Sequence, residues 1–454
     1  MEVIVDRSAG LDVHQGSVVA CTLIGQGGRR PRKEVRTFST LTNDLEALRG
    51  WLAALGVTHV GMESTGVYWK PVYAILESHF TLIVGNAHHI KVVPGRKTDV
   101  KDAEWIADLV RHGLIKPSFV PPPGIRELRD LARLRRSLSE ALATERNRTL
   151  KLLETANIKL ASIAADAFGV SGLAMLHALV ENTASPEAMP NLAKGRLRRK
   201  LQPLALALAG RLTEHHRYLL AFHLRRLAAI EADISELDAR IEENIRPFQA
   251  QRALLRCIPG VDDRIAITLI AEIGTDMSVF GNAARLATWA GICPGNHESA
   301  GRQRKNKARR DNVHLKTALV TAAIGAARQK GSYYKDKDHR LKARRGPGRA
   351  AVAIAHKILV AAYNMLSTST PFRELGEGFL DQQAGRRTIA SLVRRLTLSD
   401  TASHSAQSPP EHAPFSGQST IAAIGVRLSE KFYAEAIRLS MIRIAAGSII
   451  ASHV

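Results

Sequence analysis

Four acidic residues stand at positions from which their carboxylates can meet. Asp12 ends an apolar strand in GLDVH, Glu63 ends another in VGMEST, and Asp99 and Asp102 open a helix in KTDVKDA. Positions i and i+3 lie on one face of a helix, so the two helix acids point the same way. Crowded carboxylates repel one another unless a divalent cation relieves the repulsion, and their hard oxygens suit Mg²⁺. The pattern predicts a metal site for phosphoryl transfer, whereas each acid taken alone is more often a helix cap or a surface residue.

A serine stands directly before a dense basic run. Ser299 lies in GNHESAGR and is followed by six Lys or Arg within residues 302–310. Gly301 lets the backbone approach a phosphate, and guanidinium groups neutralise the charge that grows on a phosphodiester when a hydroxyl attacks it. The simpler alternative is a solvated loop with non-specific phosphate contacts. The candidates for DNA contact are Arg302, Arg304, Lys305, Lys307, Arg309 and Arg310.

The overall charge points to a polyanionic partner. The 454 residues carry 64 Lys and Arg against 42 Asp and Glu, a net charge of +22. Residues 1–123 hold 14 basic and 12 acidic residues, whereas residues 301–350 hold 16 basic and 3 acidic residues. We therefore expect a cytoplasmic, nucleic-acid-associated protein. Three isolated cysteines argue against a disulfide framework or a zinc site, and the absence of a long apolar run predicts no membrane span.

The four acids need a fold that brings the ends of strands together. Residues 1–120 read as a hairpin, a third strand, and then helix, strand, helix, strand, helix. That is the order of an RNase H-like α/β fold, in which the ends of the first and fourth strands lie beside the third helix. We predict that residues 1–120 form an α/β domain of this kind, RuvC-like, carrying the acids.

The middle of the chain, residues 121–250, is predicted to be helical. Apolar residues from Leu128 to Leu142 mark one long helix, and those from Leu220 to Ile245 step by three and four, close to a heptad seam. Two interpretations stay open. The segment is either two helices of an intramolecular bundle or an antiparallel coiled coil with a dimer seam, because heptads alone do not say which chain supplies the partner.

The remainder divides into three predicted parts. Residues 251–398 form a mainly α-helical domain that contains Ser299. Its segment LLRCIPGVDDRIAITLIAEIG predicts a helical hairpin, either phosphate-binding or purely structural. Residues 399–419 are rich in Ser and Pro and predict a disordered linker, and residues 420–454 form an atypical tail.

Taken in order, these segments resemble one known family. GLDVH, ESTGVYWKPVY, KTDVKDAEWIADL, IPGVDDRIAITLIAEIG, LATWAGICPGNHESAGR and RRGPGRAAVAIAHKILVAAYNML follow the order found in the DEDD transposases of the insertion sequence 110 family. The resemblance covers about residues 5–398. The chain departs from it at Asp311, where relatives usually carry glycine, and in residues 399–454, which extend past the usual end.

The resemblance implies a DNA transposase with a RuvC-like domain, a coiled-coil connector and a C-terminal transposase domain. It implies that Asp12, Glu63, Asp99 and Asp102 hold Mg²⁺ and that Ser299 is the nucleophile, forming a phosphoserine link to DNA. The implied partners are element-end and target DNA, a noncoding bridge RNA, and further copies of the chain in dimers or tetramers at the bacterial nucleoid. A RuvC-like nuclease that uses water, or a non-catalytic nucleic-acid binder, remains the alternative.

Overall fold

The N-terminal part is built on a mixed five-stranded sheet. The computed structural model describes residues 2–64, 66–87, 90, 102–293, 298–299, 302–303 and 312–405. The strands are β1 Arg7–Val13, β2 Ser17–Ile24, β3 Arg32–Ser39, β4 His59–Glu63 and β5 Thr81–Gly85. Their order is β3-β2-β1-β4-β5, with β1 to β3 antiparallel and β1, β4 and β5 parallel. This order confirms the predicted RNase H-like arrangement.

Helices cover both faces of this sheet. They are α1 Thr42–Ala54, α2 Trp69–Leu76 and α3 Asp102–Arg111. The leucine stripe of α1 packs with Leu11 and Met62 on one face, because helical spacing puts its apolar residues on one side. On the other face, Ala103 and Ala107 of α3 pack against Cys21. The sheet is thus buried between α1 and α2 on one side and α3 on the other.

Two long helices form an antiparallel pair that we call the arm. They are α4 Pro123–Thr155 and α8 Glu214–Ile245. Arg135 pairs with Asp238, and Arg146 pairs with Glu231, so position along one helix rises as position along the other falls. With 33 residues in α4, the arm is about 50 Å long. The predicted seam is therefore filled within one chain, and a seam between two chains stays a prediction.

The outer end of the arm carries a small folded unit, residues 156–213, which we call the cap. Its helices are α5 Leu160–Ile163, α6 Val170–Glu181 and α7 Leu201–Leu208, with two 3₁₀ turns at Met189–Leu192 and Gly195–Lys200. Met175, Leu176 and Leu204 are buried in its core together with Leu153 of α4 and Leu220 of α8. The cap therefore closes the arm where α4 ends and α8 begins.

The inner end of the arm packs into a larger helical core. After a 3₁₀ turn at Arg246–Phe248 come α9 Gln249–Arg256, α10 Asp263–Ile273, a 3₁₀ turn at Ser278–Phe280, α11 Ala283–Trp289, α12 Val313–Ala326, α13 Tyr333–Arg345 and α14 Pro347–Thr368. Ile125 of α4 and Ile245 of α8 are buried with Ile270, Leu319 and Ile358. We call this the C-terminal core; it is distinct from the cap core and from the sheet core.

The Pro-Gly turn between α9 and α10 packs against α12. Gly260 has φ +80°, and a Cβ there would lie 2.2 Å from the Ala322 carbonyl oxygen. Only glycine fits such a close approach. Asp262 caps α10 by accepting from the Ile265 amide at 2.8 Å. These contacts give the hairpin a structural role, the second of the two interpretations that the sequence left open.

Two further helices bear on the sequence-based expectations. α14 is long and apolar enough to cross a membrane, but Ile354, Ile358 and Leu359 are buried in the C-terminal core. The chain divides into two units between Leu380 and Asp381. The last described helix, α15 Phe379–Ser405, includes the first part of the predicted linker 399–419. Residues 379–405 contain no proline, which would break a helix, and residues 406–454 lie outside the described part of the chain.

Candidate active site

Asp12 and Glu63 come together at the carboxyl end of two parallel strands. Leu11 of β1 lies opposite Met62 of β4, so the next residue on each strand, Asp12 and Glu63, lie side by side. Leu11 and Met62 are both fully buried on the α1 face. Because side chains alternate along a strand, the two acids lie on the opposite face of the sheet.

A pair of glycines gives that face its shape. Gly10 and Gly61 lie opposite each other, each two residues before an acid. A Cβ on Gly10 would lie 2.2 Å from the Ala103 carbonyl oxygen, and one on Gly61 would lie 2.4 Å from a Val110 methyl group. Helix α3 therefore rests directly on the backbone of β1 and β4, on the face that carries Asp12 and Glu63.

The direction of α3 brings its first residue to the same edge. The amides of Ile4 and Val5, just before β1, donate to the Arg111 carbonyl at 3.0 and 3.1 Å, so the C-terminus of α3 lies beside the start of β1. The N-terminus of α3, which begins with Asp102, therefore lies toward the end of β1 where Asp12 stands. A helix N-terminus also favours nearby negative charge.

The structure places three of the four predicted acids at one sheet edge, on β1, β4 and α3. Asp99 lies outside the described residues. Among the residues that the structure describes, no three His, Cys, Asp or Glu side chains are grouped closely enough to hold a metal ion. His14 Nε2 lies 3.2 Å from Asp12 Oδ2, and 28% of the Asp12 side chain is exposed. The donors are carboxylate oxygens, which suit a hard divalent cation, with Asp12 accessible from solvent.

Ser299 lies in a short β-hairpin. Strand β6, Glu298–Ser299, pairs antiparallel with β7, Arg302–Gln303, and Ser299 lies opposite Arg302. The backbone thus places the first arginine of the basic run beside the serine. Arg304, Lys305, Lys307, Arg309 and Arg310 lie outside the described residues.

The segment that carries Ser299 is anchored at both ends in the C-terminal core. Ile292 is buried before it. After it, the side chain of Asn312 caps α12 by accepting from the Leu315 amide at 3.0 Å. Asn312 Nδ2 also donates to Glu272 Oε2 at 2.7 Å. The described residues that flank the serine-bearing segment, Ile292 and Asn312, are therefore both fixed in the C-terminal core.

Glu272 in turn connects this anchor to the arm. Its side chain is 1% exposed, and Arg133 of α4 donates to its two oxygens at 2.7 and 2.8 Å. Arg129 donates to the carbonyls of Ala271 and Glu272 at 2.9 and 2.8 Å. Burial by itself raises the pKa of Glu272, but the hydrogen bonds from Arg133 and Asn312, together with the charges of Arg133 and Arg129, hold that pKa below its usual value. We call Arg129, Arg133, Glu272 and Asn312 the Glu272 cluster.

Sequence reasoning missed the glycine pair and the Glu272 cluster. The spacing GLD and GME, with a glycine two residues before each acid, is a signal for the former. Glu272 reads as an ordinary helix residue in LIAEIG, and its partner Arg133 lies 139 residues away. Nothing local in the sequence marks that pairing.

Two family models match separate parts of the chain. Residues 9–158 match a DEDD transposase model of the IS110 type, and residues 252–338 match the model described as "Transposase IS116/IS110/IS902 family". The first contains Asp12, Glu63, Asp99 and Asp102, and the second contains Ser299. The cap falls largely between the two matches.

Curated relatives agree with these matches. A Pseudomonas aeruginosa protein named "Probable family 20 transposase" is 28% identical over 151 residues, 32% of this chain and 44% of that one. The "Insertion element IS900 uncharacterized 42 kDa protein" of Mycobacterium paratuberculosis is 26% identical over 319 residues, 63% of this chain and 78% of that one. The chain thus spans less than half the length of the first relative and most of the second.

Proposed function

Because the chain belongs to the IS110 family of transposases, we propose that it cuts and rejoins DNA strands at the ends of an insertion sequence. The observation that carries the proposal is the meeting of Asp12 and Glu63 at one sheet edge, with the start of α3 beside them. In a chain of this family, that edge is the natural place for phosphoryl transfer.

The proposed metal ligands are Asp12, Glu63, Asp99 and Asp102. DEDD transposases depend in general on a divalent metal, and the proposed ion is Mg²⁺ because all four ligands are carboxylates. A bound ion would offset the repulsion among the carboxylates and add positive charge beside the reacting phosphodiester. The chain's own contribution is the closeness of β1, β4 and α3, which the Gly10–Gly61 pair permits.

Ser299 is the proposed nucleophile. Its oxygen forms a bond to the DNA phosphorus while the bond from phosphorus to a strand oxygen breaks, and the hydroxyl proton ends on the departing strand oxygen. The reverse step, with a new strand end, rejoins the DNA and frees the serine. Arg302, opposite Ser299 in the hairpin, and the basic residues through Arg310 are proposed to hold the phosphate.

The proposal extends to partners through the family resemblance. A noncoding bridge RNA would pair with donor and target DNA. Dimers or tetramers would let the carboxylates of one subunit meet the serine of another, with the arm as a coiled-coil connector between them. The proposed location is the cytoplasm, at the bacterial nucleoid.

The test is a recombination reaction with purified protein, bridge RNA, donor and target DNA, with and without Mg²⁺. Joined DNA is counted by sequencing, and covalent protein–DNA product is detected on a denaturing gel. Ser299→Ala should abolish both products, and Asp12→Asn should abolish strand cutting. Exposed Ser235→Ala and Asp233→Asn are the matched controls and should act normally.

Two results would contradict the proposal. Covalent product from Ser299→Ala at the unmodified rate would remove the serine from the mechanism. Cleavage of branched DNA without any covalent product would instead identify a RuvC-like nuclease that uses water.

A further inference from the structure

The cap carries a basic surface that the proposed chemistry does not use. Residues 188–213 contain six Lys and Arg and no Asp or Glu. Five of the six fall in and beside the 3₁₀ turn Gly195–Lys200, and all five are exposed. We call these five the cap basic surface: Lys194, Arg196, Arg198, Arg199 and Lys200. They lie outside both matched regions, 9–158 and 252–338.

The backbone under this surface is held in place. Ala193 is buried, and Leu197 packs against the cap core. The Lys194 amide donates to the Ser171 hydroxyl at 2.9 Å, and Lys200 Nζ donates to the Ile163 carbonyl at 3.1 Å. The charges are therefore presented by a folded turn with anchors on both sides.

Within the described residues, the arginines of this surface have no carboxylate partner, unlike several arginines of the arm. On the arm, Arg135 and Arg146 each pair with an acid of α8. Arg196, Arg198 and Arg199 have no ion pair within the part of the chain that the structure describes. A 3₁₀ helix repeats every three residues, so Arg196 and Arg199 lie on the same side of the turn. Adjacent positive charges repel one another, and a polyanion relieves that repulsion.

We propose that the cap basic surface binds the phosphodiester backbone of a nucleic-acid duplex. Residues 188–213 contain no aromatic side chain, whereas proteins that hold single strands usually stack bases on aromatic rings. Contacts made only by Arg and Lys read the backbone and carry no base specificity. The surface lies about 50 Å along the arm from the C-terminal core, so it gives a long duplex a second point of attachment. This inference rests on the proposed function and adds to it a second surface that binds nucleic acid.

The test measures binding of the full chain to duplex DNA and duplex RNA of about 30 base pairs, long enough to span the arm. Fluorescence anisotropy without divalent metal keeps strand transfer out of the measurement. The test variant is Arg196→Glu/Arg198→Glu/Arg199→Glu. The control, Arg29→Glu/Arg30→Glu/Arg246→Glu, makes the same charge change at exposed positions away from the cap. Circular dichroism checks that both variants fold.

We expect the cap variant to bind at least one duplex about tenfold more weakly than the control variant, with a salt slope smaller by about three. Weaker binding of the cap variant to only one of the two duplexes identifies whether DNA or RNA is the ligand and supports the proposal. Equal binding by the two variants to both duplexes overturns it. Failure of recombination with normal binding contradicts the proposed function alone, so the two outcomes are distinguishable.

Discussion

Asn312 and Glu272, forty residues apart, are joined by a hydrogen bond of 2.7 Å from the amide nitrogen to a buried carboxylate oxygen. The oxygen of the same amide accepts from the Leu315 backbone, so one side chain both caps α12 and completes the partners of Glu272. Residues 294–311, with Ser299 among them, end immediately before Asn312. The contact therefore connects the arm, through Arg133, to the end of the serine-bearing segment.

Removing either partner of this bond should destabilise the protein. We expect Glu272→Gln to cost about 3 kcal/mol, since it removes the charge partner of Arg129, whose side chain is only 15% exposed, and of the partly exposed Arg133. Asn312→Ala should cost about 2 kcal/mol, because a helix cap and a hydrogen bond are lost together. The double variant should cost at least about 1 kcal/mol less than the sum of the two. Urea unfolding followed by circular dichroism measures all three.

Asn282→Ala is the control for that cycle. Asn282 caps α11 by accepting from the Arg285 amide at 2.9 Å, and among the described residues it makes no hydrogen bond to a buried carboxylate. Asn282→Ala should cost about 1 kcal/mol, and this cost should be additive with that of Glu272→Gln. Additive costs for Asn312→Ala and Glu272→Gln would refute the coupling between them.

The unfolding free energy should fall between pH 7 and pH 5 because of His314. Its Nδ1 is buried without a hydrogen-bond partner in the described part of the chain, and burial, followed by the charge of Arg133, lowers its pKa. The pKa of His314 in the folded protein lies below the unfolded value of about 6.5. The contribution of the neutral, buried His314 to the free energy of unfolding is therefore fully present above pH 6.5 and is lost as pH falls through the folded pKa.

His314→Gln should reduce that loss, because glutamine does not titrate. Exposed His215→Gln is the control and should leave the pH dependence unchanged. Thermal unfolding at a series of pH values compares the three proteins. Parallel curves for His314→Gln and the unmodified chain would show that His314 does not contribute.

Gly10→Ala should displace α3 from the sheet. The added Cβ would meet the Ala103 carbonyl at 2.2 Å and the Ala107 amide nitrogen at 2.3 Å, both of them backbone atoms that cannot rotate away. We expect a cost of about 3 kcal/mol and loss of strand cutting, since Asp102 would move away from Asp12. Gly16→Ala is the matched control, because nothing lies within 4 Å of its added Cβ. Normal activity and stability in Gly10→Ala would show that α3 does not need this close approach.

The arm should depend on one buried acid more than on its surface pairs. Glu145 is 2% exposed, and His223 Nδ1 and Arg148 contact its two oxygens at 2.7 and 3.0 Å. Burial by itself raises the pKa of Glu145, but the hydrogen bonds from His223 and Arg148, together with the charges of Arg226 and His223, hold that pKa below its usual value. Glu145→Gln should cost about 2 kcal/mol, whereas Glu231→Gln, which breaks the exposed pair with Arg146, should cost less than about 1 kcal/mol.

Chemical denaturation of the two variants measures that difference. Because both substitutions remove one carboxylate from the arm, net charge is matched. Equal costs would mean that burial of Glu145 adds nothing to the stability of the arm.

Much of the fold could be predicted because its signals are local. The strand patterns of β1 to β3 and the apolar stripe of α1 are formed by residues close together in the chain. The RNase H-like order of elements could therefore be predicted from them. The positions of Asp12 and Glu63 at strand ends followed in the same way. The heptad pattern of α8 predicted a long helix with a packed seam, but such a pattern does not identify the helix that packs against it. Its partner within the chain, α4, lies across the intervening cap.

The sequence by itself determined the element types, the strand-end acids, the serine before a basic run and the uneven charge, because each depends on a few neighbouring residues. Tertiary structure decided what those residues face. Gly10 meets Gly61 only because β1 and β4 lie in register, and that meeting lets α3 bring Asp102 to their edge. Glu272 meets Arg133 only because the arm folds onto the C-terminal core. Such pairings depend on burial and distance across more than fifty residues of chain, and local periodicity does not encode them.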